Sequence, residues 1–189
     1  MIRQLVIAAT LAAATFALLP QPGSAQQMVS AERIYKKLKS TAPITKAMRR
    51  DIGRKPVTIA RIKRERKIRR HLPAIDIQSI NFAFGSAHIP RHESWKVGTI
   101  ADALLRFRGR HERVLLEGHT DAVGSWGANL NLSEARARSL KRALVNWYGV
   151  PRRMLVTVGY GEEHLVVPTH APEWRNRRVT LRRLTGILN

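Results

Sequence analysis

Val114-Leu115-Leu116-Glu117-Gly118-His119-Thr120-Asp121 decides the reading of the fold. A short apolar run closed by a glycine reads as a buried strand, and the polar residues directly behind it sit at the strand's end. Upstream, Ile75 to Phe84 alternates with period two, with Ile75, Ile77 and Ser79 on one face and Ile80, Phe82 and Phe84 on the other. A first strand is predicted there, ended by a tight loop at Gly85-Ser86-Ala87. Pro90 can open a helix at its first turn. Trp95, Ile100, Ala103, Leu104 and Phe107 then recur at helical spacing. Downstream, Asn131 or Ser133 is the expected cap of a second helix with Leu132, Ala135, Leu140, Ala143, Leu144 and Trp147 on its apolar face. Gly149 ends it and Pro151 comes next as a stop. Met154 to Val158 is a third predicted strand and Val179 to Leu184 a fourth. Strands alternating with helices predict an α/β domain with helices packed on a sheet, and sites in such sheets form in the loops beyond strand ends.

Charge is distributed unevenly along the 189 residues. The chain carries 34 Lys and Arg against 13 Asp and Glu, a formal charge of +21. Between Gln26 and Leu72 there are 16 basic and three acidic residues, a net of +13, whereas Pro73 to Asn189 carries a net of +7. This break predicts a boundary near His71-Leu72-Pro73, with residues 26–72 as a basic, partly disordered arm and 73–189 as the domain. Within the arm, Ala31 to Leu38 reads as a short amphipathic helix with Ile34, Tyr35 and Leu38 on one side. Pro43 and Pro56 interrupt the stretch beyond it, and Arg61 to Arg70 shows no continuous apolar stripe. The arm is a solvated tether or an electrostatic grip on a polyanion: nucleic acid, anionic lipid headgroups or other outer-membrane components, or a carboxylate-rich wall polymer. Nucleic acid is disfavoured, because Tyr35 is the arm's single aromatic and offers no stacking platform. The absence of cysteine excludes a disulfide scaffold, a thiolate metal site, a thiol nucleophile and a lipid-modified N-terminal Cys.

Residues 1–25 read as a secretory signal peptide. Arg3 precedes an apolar run from Leu5 to Leu19, Pro20 and Pro22 break it, and Gly23-Ser24-Ala25 supplies small residues for cleavage. The run of 15 residues is short of the ~20 needed to span a bilayer core. The mature chain is expected to begin at Gln26 and to reside in the periplasm, in association with the outer membrane.

Four segments then fall in order. Gly118-His119-Thr120-Asp121 lies after the second strand, and Asn129 with Leu132-Ser133-Glu134-Ala135-Arg136-Ala137 opens the next helix. Gly159-Tyr160-Gly161-Glu162 lies after the third strand, and Asn176-Arg177-Arg178-Val179 starts the fourth. With Asn81-Phe82-Ala83-Phe84-Gly85-Ser86-Ala87 ahead of them, these segments closely resemble the OmpA C-terminal-like domain, the peptidoglycan-binding module of OmpA, Pal and MotB proteins. The resemblance covers roughly Ile75 to Leu184. It implies a β-α-β-α-β-β two-layer sandwich with helices on a mixed sheet.

The resemblance further implies non-catalytic binding of peptidoglycan through the diaminopimelate of its stem peptide, with no cofactor. The head of that residue carries one ammonium and one carboxylate. Asp121 matches the family position that takes the ammonium, and Arg136 the one that takes the carboxylate. A guanidinium fork meets a carboxylate with two bonds, which lysine does not reproduce. The N-terminus of the helix bearing Arg136 is expected to add backbone N–H groups. Thr120, Asn129 and Arg177 match further contact positions, and Phe84, Gly85, Ser86 and Ala87 form a wall. His119 reads as a structural, hydrogen-bonding residue, and Asp121 with Arg136 also fits a plain strand–helix salt bridge. An alternative from a different class is a zinc-dependent wall peptidase using His119 and Asp121. Two neighbouring ligands do not make a site, however, and no HExxH is present.

Overall fold

The computed structural model describes residues 30–40, 46–53, 55–65, 68–69, 71–72, 74–77, 80, 82–83, 85–107 and 111–184. The expected signal peptide, and Ser79, Asn81 and Phe84, lie outside these.

Strand β2 (Val114–Gly118) is buried along its whole length because both of its edges and both of its faces are covered. It pairs in parallel with β3 (Leu155–Gly159) and antiparallel with β4 (Val179–Arg183), which pairs antiparallel with β1 (Ala74–Ile77). The order is β1-β4-β2-β3, a mixed sheet. The first strand is shorter than its alternation predicts. Among the described residues its pairing runs from Ala74 to Ile77, and Ile80 and Phe82 are buried outside the strand, so their apolar spacing records burial of a loop.

Helices cover one face. These are α1 (Ala31–Lys39), α4 (Ser94–Leu105) and α5 (Trp126–Tyr148), with α2 (Lys46–Ile52) and α3 (Ile59–Arg64) falling between α1 and α4 in the chain order. Val114, Leu116, Leu155, Val179 and Leu181 point from the sheet into a core shared with Ile100 and Leu104 of α4 and Leu140 and Leu144 of α5. Pro90 precedes a single 3₁₀ turn, Arg91–Glu93, that leads into α4. Trp95 is 47% exposed, although its spacing suggested the apolar face. It stands two residues before Val97, the first buried position of α4, and so about 200° away around the helix.

Helix α5 starts earlier than expected. Its N-cap is Ser125, whose hydroxyl accepts from the Ala128 N–H, and Asn131 and Ser133 lie inside the helix. Gly127, Asn129 and Asn131 are weak helix formers and conceal this start in the sequence. The end is as predicted: Gly149 adopts φ +67°, and the Gly149 and Val150 N–H groups bond the carbonyls of Val145 and Leu144. Trp147 is 55% exposed, on the side of α5 that faces His88 and Ile89.

The opposite face of the sheet is covered by the basic segment. Met48, Ile52, Val57, Ile62, Ile68 and Leu72 pack on Leu115, Val158, Tyr160 and Leu184. The predicted amphipathic helix is α1, and its Ile34 and Leu38 enter the first core. Packing therefore crosses the composition break at His71-Leu72, and this segment adds a layer behind the helices-on-sheet sandwich. Burying an aliphatic side chain of this size contributes about 1.5–3 kcal/mol. Arg61 ties the layer together: it pairs with Glu65 at 2.7 Å and donates to the carbonyls of Lys55 and Ile52.

Candidate ligand-binding site

The ends of β2 and β3 and the start of β4 converge because their loops are hydrogen-bonded to one another. The Tyr160 N–H donates to Gly118, the His119 N–H to Arg178, and the Thr120 N–H to Gly161. Helix α5 closes over this junction at a distance that only glycine permits. A Cβ on Gly118 would lie 2.0 Å from the Ser133 carbonyl oxygen, and one on Gly159 would lie 2.4 Å from the Glu134 nitrogen. Ser133 Oγ accepts from the Gly161 N–H at 2.8 Å, and the Glu134 carboxylate accepts from the Gly159 N–H. The two glycine motifs thus fix where α5 runs, and so where Arg136 stands.

Asp121 is buried, and its Oδ2 accepts from Arg177 Nη1 at 2.7 Å. It does not pair with Arg136, so the plain strand–helix salt bridge is not formed. Asn176 sets the aim of Arg177. Its Oδ1 accepts from the N–H groups of Val166 and Val167, and its Nδ2 donates to the Val167 carbonyl. The loop ahead of β4 is thereby braced.

Arg136 is 1% exposed and meets no carboxylate among the described residues. Its Nε donates to the Ser86 carbonyl at 3.0 Å and its Nη2 to the Ala83 carbonyl at 3.4 Å. Nη1 is buried without a partner among the described residues. The guanidinium lies 5.2 Å from the Phe82 ring centre. Burial, and then the charge of Arg177, pull its pKa down to about 10, while Asp121 opposes them. It therefore remains a cation at neutral pH, with one nitrogen short of an acceptor among the described residues. A buried donor in that state costs about 1–3 kcal/mol until an acceptor arrives.

Thr120 is buried, and its hydroxyl has no partner among the described residues. Asn129 is buried and donates to Glu162 at 2.6 Å. Gly85 takes φ +66°, and the Ser86 N–H closes a turn onto Ala83. The Ser86 and Ala83 carbonyls of this turn hold Arg136. Phe84 lies outside the described residues. The expected help from the N-terminus of α5 is absent. Arg136 is ten residues beyond Trp126, and ten residues of helix rise about 15 Å.

The His119 side chain is fully buried and packs without a ring hydrogen bond among the described residues, unlike the hydrogen-bonding role expected of it. Its ring stacks on Tyr160 at 5.9 Å, and neither nitrogen has a hydrogen-bond partner among the described residues. Burial foremost, then the charges of Arg178 and Arg69, push its pKa well below the usual imidazole value. No cluster of three or more His, Cys, Asp or Glu suited to a metal ion occurs among the described residues. Sequence reasoning missed the Asp121–Arg177 pair and the Ser86 carbonyl. The first depends on β2 and β4 being neighbours and the second on α5 lying against the Ala83–Ser86 turn, and no local pattern records either.

Among known proteins, the OmpA family profile matches residues 81–178, just over half the chain. Outer membrane porin F of Pseudomonas aeruginosa is 35% identical over 102 residues, covering 53% of this chain and 29% of the porin. The peptidoglycan-associated lipoprotein of the same species is 42% identical over 78 residues, covering 40% of this chain and 46% of the lipoprotein. The chain thus spans under half the length of these relatives. The C-terminal domain of Helicobacter pylori MotB superposes with a TM-score of 0.50 at 20% identity, covering 56% of this chain and 81% of that domain. That likeness concerns the fold.

Proposed function

The chain belongs to the OmpA family, and from that premise we propose that it is a non-catalytic peptidoglycan-binding protein of the Gram-negative cell envelope. It grips the wall through the diaminopimelate of the stem peptide and acts in the periplasm, in association with the outer membrane. A relative sharing 42% of matched residues is named for its association with peptidoglycan. The observation that carries the finer reading is Arg136: a buried guanidinium, held by two backbone carbonyls, with one nitrogen unpartnered among the described residues, beside the Asp121–Arg177 pair. A ligand carboxylate supplies the missing acceptor. The ligand ammonium is drawn to Asp121, which has a second oxygen beyond the one held by Arg177. Thr120 and Asn129 complete the polar lining.

The test is sedimentation of the mature chain with purified insoluble peptidoglycan, with and without free diaminopimelate. Co-sedimentation that the free amino acid displaces is expected. Absence of co-sedimentation overturns peptidoglycan binding, and binding that diaminopimelate leaves untouched overturns the finer assignment.

A further inference from the structure

A groove runs along the outer side of α5, between that helix and the Ala87–Ile89 loop. It begins at Ala87 and Ala135, next to Ser86 and Arg136, and ends at Asn146 and Trp147. Because Arg136 Nε donates to the Ser86 carbonyl, the groove starts beside the proposed diaminopimelate site. From Ala135 to Trp147 the helix rises about 18 Å.

The chemistry of the groove changes along its length. Near the site its charged walls are Arg138 and Arg142, and no carboxylate lines it among the described residues. Arg142 Nη2 donates to Ser139 Oγ at 2.8 Å, which steadies the guanidinium. Arg138 approaches Glu134 only at 3.7 Å, and that carboxylate is already engaged by the Gly159 N–H and the Thr157 hydroxyl. At the far end stand an exposed indole, Trp147, and the Asn146 amide. An aromatic face beside an amide suits the ring and N-acetyl group of an amino sugar.

The wall stem has the same order. Diaminopimelate is its third residue. The second is a glutamate joined through its side chain, which leaves a free α-carboxylate, and the first joins the amino sugar. An extended chain advances about 1.2 Å per bond, so the glutamate carbon bearing the carboxylate lies about 11 Å from the diaminopimelate head and the sugar about 20 Å from it, the first within the arginine stretch and the second at the far end of the groove.

We propose that this groove is a second subsite for the same polymer: Arg138 and Arg142 take the stem glutamate's carboxylate, and Trp147 carries the adjoining amino sugar. The inference rests on diaminopimelate binding at Arg136. Calorimetry on the full mature chain tests it, with four ligands: free diaminopimelate, the tripeptide L-Ala-γ-D-Glu-diaminopimelate, its α-amidated form, and the muramyl tripeptide. The tripeptide should bind about tenfold tighter than the free amino acid, the order expected of a charge-assisted contact. Amidation, or the exposed double change Arg138→Ala with Arg142→Ala, should abolish that gain and leave binding of free diaminopimelate in place. The muramyl form should gain a further few-fold that Trp147→Ala removes. Equal affinities for amino acid and tripeptide, or a gain that survives amidation and the double substitution, overturn the subsite. A sugar gain that survives Trp147→Ala overturns the sugar's placement. If free diaminopimelate does not bind either, the first site and this one fall together.

Discussion

Arg69, from the basic segment, and Glu117, at the centre of the sheet, form a two-bonded ion pair at 3.0 and 2.7 Å. The Glu117 side chain is fully buried, and Arg182 Nε donates to the same carboxylate at 2.8 Å. Arg182 also donates to the Leu72 carbonyl at 2.6 Å, so the anion holds the end of the segment to the sheet twice over. Arg69 lies 4.8 Å from the Tyr160 ring centre, and Tyr160 stacks on His119, two residues before Asp121. Glu117→Ala strands two cations and should cost about 3–5 kcal/mol. Arg69→Ala leaves Arg182 in place and should cost less. Urea denaturation of both variants checks the order.

Removal of residues 26–72 should lower stability far more than loss of a free tether would. It uncovers Leu115, Val158 and Leu184 and takes Ile34 and Leu38 out of the first core. Ile68→Ala alone should cost about 2–5 kcal/mol, because the residue is fully buried. Thermal melts of the truncated and substituted proteins measure this, and a truncated chain with an unchanged transition would refute it.

Gly118→Ala should separate α5 from the sheet. With a Cβ 2.0 Å from the Ser133 carbonyl oxygen, the neighbour to move is backbone. The expected loss is about 3 kcal/mol or more. Wall binding should fall with it, since the same helix carries Arg136 and Asn129. Melting and sedimentation on one preparation would show both effects.

Arg136→Ala and Asp121→Ala should each abolish most peptidoglycan binding. Arg136→Lys should fail substantially too, because a point charge does not serve the Ser86 carbonyl and a ligand carboxylate together. A drop of about tenfold to a hundredfold is expected for the lysine variant, the worth of a charge-assisted bond. The wall-sedimentation isotherm reads this, alongside a melt to confirm folding.

His119 sets an acid limit on stability. The folded protein holds the ring neutral with a depressed pKa, whereas the unfolded chain titrates it near the usual 6.5. Below that value the unfolded state binds a proton that the native state does not, so stability falls as pH drops, by up to about 1.4 kcal/mol per pH unit. Above it the effect vanishes. Melting temperatures between pH 7.5 and 5 should fall less steeply in His119→Phe than in the parent.

The ordered glycine-bounded motifs were legible in the sequence because they are local: an apolar run that must be buried, a glycine where another backbone approaches, a left-handed cap at Gly149. The α/β class, the positions of β2 to β4, the amphipathic α1, and the candidate residues Asp121 and Arg136 come from such patterns and from the family resemblance they carry. Other features were decided by the tertiary structure. Antiparallel pairing of β4 with β2 sets Val179 against Gly118, and only that register brings Arg177 to Asp121. Likewise, the basic segment beyond α1 shows no continuous apolar stripe, because Met48, Ile52, Val57, Ile62, Ile68 and Leu72 reach the sheet from several short pieces of chain. Periodicity reports a face only where one regular element presents it. A surface assembled from short, turned segments exists only once the sheet beneath it has formed.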